Sequence, residues 1–309
     1  MQNKNIDVLL VSETHLTNRY NFYISGYTFY CTNHPDGKAH GGTGILIRNR
    51  LKHYPLDEFS KDYMQATSIH LESFAGDLNI SAIYCPPRFS MTKEKFEEFF
   101  STLGGRFLAC GDYNAKHTYW GSRLMNPRGR QLYKALVDRN NGLDIVSPGQ
   151  PTYWPADPKK IPDLIDFAIT KNINRNSIST EMSYDLSSDH SPIIVSYYGR
   201  TNISKFHTET YYFKTNWLKY KKYISSHIHT DLCIQCEEDV DKSVNDFTSL
   251  IVSALNHSKS QIFPKTDMHI SNSDIERLLL EKRKLRREWQ QNRSPAAKQR
   301  LSAEITFKV

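Results

Sequence analysis

Apolar residues in the first two hundred positions come in short runs broken by turn chemistry, the pattern of strands rather than of long helices. The runs predict strands over Ile6–Val11, Gly44–Arg48, Ala66–Leu71, Asn79–Tyr84, Phe107–Cys110, Leu164–Thr170 and Ile193–Tyr198. Two stretches have helical spacing instead. Thr92 can cap a helix over Lys93–Leu103, with Phe96, Phe99 and Phe100 as its apolar side. A second helix over Arg128–Asn140 carries Leu132, Ala135 and Leu136 and stops near Gly142. Many strands with few helices predict a layered α/β sandwich rather than a strictly alternating parallel fold. Gly41-Gly42-Thr43-Gly44 lacks the Lys-Ser/Thr pair of a phosphate loop and is read as the start of a strand.

After about Arg200 the pattern becomes helical. Ser273 with Glu276 three positions on fits a capping box. Ile275, Leu278, Leu279, Leu285 and Trp289 then fall roughly on one helical face, and Ser294-Pro295 reads as a second helix start. The expected division is therefore a sandwich domain at 1–199 and a helical basic segment at 200–309.

Composition narrows the class. The chain has 309 residues, 39% of them hydrophobic, with 18 Tyr and 15 Phe, enough for a sizeable core. No run approaches the roughly 18 apolar residues of a membrane span, and the start does not resemble a signal peptide. Five cysteines, an odd number at irregular spacing, point to a reducing compartment, so the expected location is inside the cell, nuclear or cytoplasmic, with no membrane partner. The net charge of +7 is unevenly placed: residues 277–309 hold ten Lys/Arg against three Glu, whereas residues 1–276 hold thirty of each. A basic C-terminal segment of this kind meets nucleic acid or presents a solvated helix face.

The candidate chemistry lies at the strand ends, where a scaffold fixes side chains rigidly. Glu13 follows Val8-Leu9-Leu10-Val11 and would be delivered to a sheet edge, where a Mg²⁺ ion takes one or two carboxylates and keeps its waters. In Gly111-Asp112-Tyr113-Asn114, Asp112 can hold or activate a water, and Asn114, two positions on, can donate to a phosphate oxygen. Asp166 sits inside the apolar run Leu164–Ile169, where a carboxylate needs a partner. His190 is the natural one, since a carboxylate on one ring nitrogen leaves the other free for acid–base work. Asp189 and His190 are adjacent, so on extended chain one can face a metal ion and the other the substrate. Tyr84, at the end of its strand, can hydrogen-bond a phosphate or fill the core. Thr152 can touch a phosphate or merely a turn, and Asp163 after Pro162 reads as a turn residue. Together these groups form a hard-metal ligand set with a general base, the equipment for hydrolysing a phosphodiester.

As a set, Ser12-Glu13-Thr14-His15-Leu16, Tyr84-Cys85-Pro86-Pro87, Gly111-Asp112-Tyr113-Asn114-Ala115-Lys116-His117, Leu164-Ile165-Asp166-Phe167 and Ser188-Asp189-His190-Ser191-Pro192 resemble the endonuclease/exonuclease/phosphatase superfamily. More narrowly, Asn114–His117 with Trp120-Gly121, Gly41–Ile47, Thr215-Asn216-Trp217 and Glu281–Trp289 resemble the endonuclease domain and pre-polymerase linker of jockey-group non-LTR retrotransposons. The resemblance implies a four-layer α/β sandwich of two packed mixed sheets flanked by helices, with the site at one end. It implies Mg²⁺-dependent (or Mn²⁺-dependent) nicking of DNA that leaves a 3′-hydroxyl to prime reverse transcription. Element RNA and a reverse transcriptase domain are the further partners it implies. By motif position Glu13 ligates the metal with Asp189 beside it, and Asp112 orients or activates the attacking water. His190, held by Asp166, serves acid–base or transition-state stabilisation, while Asn114, Tyr84, Thr152 and Ser188 contact the phosphate backbone.

In that family a core strand bearing a metal-proximal Asn precedes the helix before Ile6–Val11. This chain is expected to lack that strand, as it lacks the polymerase. The same residues also admit a non-catalytic remnant that binds nucleic acid through its basic helix, or a relative acting on abasic DNA or another phosphoester.

Overall fold

The computed structural model describes residues 5–19, 22–72, 76–138, 141–155, 157, 159–183, 188–199, 214–228, 236–260, 273–292, 296 and 299–300. The chain forms two compact units. The first takes in Met1–Thr208 and Glu276–Val309, the second Glu209–Ile275. The last long helix from Glu276 onward thus clusters with the sandwich, a division that hydropathy along the chain does not reveal.

In the first unit, β1 (Val8–Ser12), β2 (Tyr27–Thr32) and β3 (Thr43–Arg48) make a three-stranded antiparallel sheet in the order β1-β3-β2. A larger sheet has the order β4-β6-β7-β8-β10-β9, with β5 also paired to β6. Its strands are β4 (His53–Pro55), β5 (Phe59–Lys61), β6 (Met64–Leu71), β7 (Leu78–Tyr84), β8 (Phe107–Asp112), β9 (Leu143–Val146) and β10 (Asp166–Lys171). The β7–β8 pair is parallel and is bridged by helix α1 (Lys93–Thr102), the crossover that parallel pairing requires. A further antiparallel pair joins β11 (Ile178–Met182) to β12 (Ile193–Tyr197). The expected strands are present with ends shifted by a residue or two, and β3 does begin within the glycine-rich run.

Alternation along the central strands builds two cores. Ile80 and Ala82 on β7, Leu108 on β8 and Ala168 on β10 face Ile45 and Ile47 of the small sheet. Their neighbours Ile83, Phe107, Ala109, Phe167 and Ile169 pack on the other side against Phe96, Phe99 and Phe100 of α1 and Leu132 and Ala135 of helix α2 (Pro127–Val137). The larger sheet is buried on both faces, which is why its central strands read as nearly continuous apolar runs. Thr92 caps α1 by accepting from the Lys95 amide, as expected. Asn126 caps α2 with Pro127 at its first turn, one residue before the expected start, and Asp138 already ends the helix in extended conformation.

One glycine sets the approach of β8 to β7. A Cβ at Gly111 would lie 2.0 Å from the Ile83 carbonyl oxygen, a backbone atom that cannot move without shifting its strand. Gly111→Ala is expected to cost about 3 kcal/mol or more of stability, as overpacking against backbone does. Urea unfolding checks this, and an unchanged midpoint would contradict the tight approach.

In the second unit, Asn216 caps α3 (Trp217–His227), accepting from the Lys219 amide at 3.1 Å. α3 packs on α4 (Glu237–Ser258), and β13 (Lys214–Thr215) pairs with β14 (Lys259–Ser260). Helix α5 spans Ser273–Asn292, so Ser273 falls within the helix, and the expected second start at Ser294-Pro295 lies outside the described residues.

Candidate active site

The register of the larger sheet lines up three of the expected site residues. Tyr84 on β7 pairs with Asp112 on β8, and Asp112 pairs with Asp166 on β10. The small sheet adds a fourth. Ser12, the last residue of β1, donates its hydroxyl to the Ile83 carbonyl at 2.7 Å and accepts from the Asp112 amide at 3.4 Å. This clamp sets Glu13, in a left-handed turn at φ 56°, beside Tyr84, and the Tyr84 phenol bonds to the Glu13 carboxylate. The Thr14 and His15 amides continue the contact by donating to the Gly42 and Gly41 carbonyls.

The fifth element is the segment before β12. Trp154 donates its amide to the Asp189 carbonyl, the Ser191 amide donates to the Thr152 carbonyl, and Tyr153 bridges both Asp163 and His190. His190 is thereby held with Nδ1 at 2.8 and 3.1 Å from the two Asp166 oxygens. A carboxylate accepts, so Nδ1 donates and Nε2 is left for the reacting centre. The expected Asp166–His190 pair is formed.

Electrostatics raise both titrating groups of the centre. Asp112 is 4% exposed, and burial together with the charges of Asp166 and Glu13 holds its carboxyl well above the usual carboxylate range, against the pull of His190 and the Asn114 amide. For His190, burial opposes the charged ring, but the Asp166 hydrogen bond and the charges of Asp166, Asp112 and Asp189 outweigh it and lift the imidazole to about 9. Burial chiefly, with the Glu13 bond, raises the Tyr84 phenol, so it stays a hydrogen-bond donor.

Three expected contacts are drawn differently. Asn114, at φ 48°, gives its backbone N–H to Asp112 Oδ1 at 2.8 Å. Its Nδ2 donates to Asp112 Oδ2 at 2.7 Å and to the Cys85 carbonyl at 3.2 Å. Both side-chain hydrogens are used, and Asn114 steadies Asp112. Thr152 is fully buried, and its hydroxyl accepts from the Ile165 and Asp166 amides at 3.1 and 3.0 Å. It braces the strand that carries Asp166. Asp163 is more than a turn residue: it is 1% exposed, accepts from the Arg123 and Leu164 amides, and meets Lys116 Nζ at 3.2 Å. Ser188 is exposed at the rim, its hydroxyl accepting from the His190 amide at 3.1 Å.

Thr152→Val is expected to cost about 1–3 kcal/mol, since two buried amides lose their acceptor. Thermal denaturation checks it. A phosphate ligand would instead leave stability alone and weaken substrate binding.

Two basic residues were missed. Arg128 is buried and donates to the carbonyls of Cys85, Tyr113, Pro86 and Phe89, tying the β7–α1 loop to the β8 loop. Arg286 on α5 is partly desolvated and feels the charge of Asp189, while Leu285 and Trp289 on the same helix are buried. Hydropathy places Arg286 on a basic helix but not next to a strand-end aspartate.

The donor set fits a hard divalent ion. Glu13, Asp112, Asp166 and Asp189 place four carboxylates around one end of the sandwich, and the charges of Asp166 and Glu13 add to the burial that lifts Asp112. Glu13, with its side chain 48% exposed, and the exposed Asp189 can hold such an ion while leaving it water.

A sandwich with this row of polar groups at its open end is a phosphodiester hydrolase scaffold, and the chain belongs to the Endonuclease/Exonuclease/phosphatase family, matched over residues 1–190. That membership makes it a phosphodiester hydrolase. Its relatives include the RNA-directed DNA polymerase from mobile element jockey of Drosophila funebris, 28% identical over 92% of this chain and 31% of that protein. The probable RNA-directed DNA polymerase from transposon X-element of Drosophila melanogaster is 32% identical over 95% of this chain and 32% of that protein. The chain spans about a third of the length of the curated relatives it matches. Among solved structures, the endonuclease domain of TRAS1, a telomere-specific non-LTR retrotransposon, shares the fold at a TM-score of 0.51 and 19% identity, over 63% of this chain and 88% of that one. Among the described residues no helix is long and apolar enough to cross a membrane.

Proposed function

We propose that this chain nicks DNA in a Mg²⁺-dependent reaction and leaves a 3′-hydroxyl that primes reverse transcription by a polymerase domain of the same retrotransposon. The observation that supports the chemistry is the row Tyr84, Asp112 and Asp166 at the strand ends with His190 hydrogen-bonded to Asp166, which brings a buried carboxyl and an imidazole to one end of the larger sheet.

Asp112 is the base in this reading. Its carboxylate orients a water for in-line attack on phosphorus and takes the proton, a task for which a raised affinity suits it. Asn114 fixes the orientation of both Asp112 oxygens. His190, charged at neutral pH and steered by Asp166, offers Nε2–H to the non-bridging oxygen as charge builds on the phosphoryl group. Tyr84 and Ser188 border the phosphate. Glu13 and Asp189 would hold the Mg²⁺, which supplies electrostatic stabilisation of that same charge.

The test is conversion of supercoiled plasmid to open circle in Mg²⁺, with and without chelator, followed by extension of the nick by an added DNA polymerase. Chelator-sensitive nicks that extend without end repair are expected. No nicking in Mg²⁺ or Mn²⁺, or nicks that extend only after removal of a 3′-phosphate, would overturn the reading.

A further inference from the structure

Away from the carboxylate row, the loop between β2 and β3 gathers a second set of ligand atoms. Among the described residues, His34, Asp36 and His40 are the one group of three His, Cys, Asp or Glu side chains whose ligand atoms all lie within 4.8 Å of one another. His34 Nδ1 stands 2.9 Å from Asp36 Oδ1, and His40 Nε2 stands 2.8 Å from Asp36 Oδ2. The two imidazoles are tilted by 33° with centroids 3.9 Å apart, and each presents a nitrogen to the same carboxylate. Turns that need no other partner bring them together, with the Gly37 amide on the His34 carbonyl and the Lys38 amide on Asp36 Oδ1.

The contacts of His34 Nδ1 conflict unless positive charge enters. The Asp36 amide donates to Nδ1 at 3.3 Å, which needs a bare lone pair there, yet a carboxylate oxygen approaches the same nitrogen at 2.9 Å. A hydrogen on Nδ1 suits the carboxylate and not the amide, and its absence suits the amide and not the carboxylate. A cation between lone pair and carboxylate removes the repulsion.

We infer that His34, Asp36 and His40 form a binding site for one divalent transition-metal ion, Zn²⁺ by its ligand chemistry, separate from the nuclease carboxylates. Two imidazoles and one carboxylate suit zinc and not magnesium, and three protein ligands leave a fourth position for water. Neighbouring ligand atoms on a tetrahedral zinc stand about 3.3 Å apart, within half an ångström of the spacings found here. Burial fixes one ligand in advance: the His34 side chain is 3% exposed. Asp36 and His40, at 38% and 39%, leave the ion a way in.

The site would act on the nuclease centre through the backbone. The loop ends at Gly41 and Gly42, whose carbonyls receive the His15 and Thr14 amides next to Glu13. Gly41, at φ +59°, has no room for a side chain, because a Cβ there would meet Gln65 Oε1 at 2.8 Å and the rings of His34 and Tyr84 at 3.5 and 3.6 Å. An ion on the loop would thus stiffen the turn that carries Glu13.

The experiment is equilibrium dialysis of the metal-stripped full chain against Zn²⁺, with Mg²⁺ in excess to fill oxygen-only sites, and a parallel titration with Co²⁺ followed by visible absorption. One Zn²⁺ per chain is expected. His40→Ala and Asp36→Asn, both at exposed positions, should each weaken binding about 10-fold or more. Glu13→Gln and Asp189→Asn should leave it unchanged. Failure of the parent to retain Zn²⁺, equal binding by His40→Ala and Asp36→Asn, or loss of the ion in the Glu13 and Asp189 variants would each overturn the site. None of these outcomes depends on DNA nicking.

Discussion

His190→Ala should lower plasmid nicking by about 10²–10⁴-fold while leaving the fold in place. The ring is positioned by three separate devices: the Asp166 carboxylate on Nδ1, the bridge to Tyr153, and the turn made by Ser188. Only the first involves the side chain, so the alanine variant keeps its backbone anchors. Asp166→Asn separates position from charge. An amide at 166 can still accept from Nδ1–H, but it supplies no negative charge to favour the imidazolium. If His190 works as a charged donor, Asp166→Asn should lose most of the activity and shift the alkaline limb of the pH–rate profile to lower pH, because the group that stays charged up to about 9 then loses its proton earlier. If His190 is the base, the neutral ring is the working form, and the same substitution should move the acidic limb to lower pH instead. Single-turnover nicking across the pH range distinguishes the two, and a His190→Ala variant as active as its parent would remove the residue from the chemistry.

The strands that proved legible are those buried on both faces. Ile80–Tyr84, Phe107–Cys110 and Phe167–Thr170 are apolar because neither face of the larger sheet meets water. Tyr27–Thr32 went unread because as an outer strand of the small sheet it mixes aromatic and polar residues, and only its pairing with β3 makes it a strand. Short pieces such as His53–Pro55 and Phe59–Lys61 owe their conformation to β6, a partner no local pattern reveals. At the site, residue types at strand ends marked Glu13, Asp112, Asp166, Asp189 and His190. What they could not give was the register, since the alignment of Tyr84, Asp112 and Asp166 depends on a parallel pairing across a helical crossover. The same limit explains Thr152 and Asn114. A hydroxyl or amide near a phosphate site can serve the phosphate or the scaffold, and only the location of buried amides and of Asp112 settles which one it serves.

Asp112→Asn should abolish nicking and yet stabilise the protein in the absence of divalent metal. A carboxyl whose affinity for protons is raised by folding binds its proton more tightly in the folded chain than in the unfolded one. Stability is then greatest below the unfolded value and falls as pH rises through the interval up to the folded value, since over that interval the unfolded chain has released a proton that the folded chain keeps. Above the unfolded value the folded chain is thereby destabilised, by about 1.4 kcal/mol for each pH unit until the folded value is reached. Asparagine removes that cost while nearly matching the shape. Its oxygen can still accept from the Asn114 backbone N–H, and Asn114 can turn its amide over to accept from the new N–H, giving up the bond to Cys85. The net expectation is a gain of about 1 kcal/mol or more in metal-free buffer near neutral pH, shrinking as the pH is lowered and Asp112 takes up its proton. It should shrink also on addition of Mg²⁺, because a cation near Glu13 and Asp189 offsets the repulsion in the parent alone. Activity should fall by about 10³-fold or more, since an amide cannot take the proton of the attacking water. Urea unfolding of parent and variant at two pH values, with and without Mg²⁺, reads all of these. A variant less stable than its parent in metal-free buffer at neutral pH would mean that Asp112 is already neutralised there by its neighbours, and the role of base would pass from Asp112 to His190.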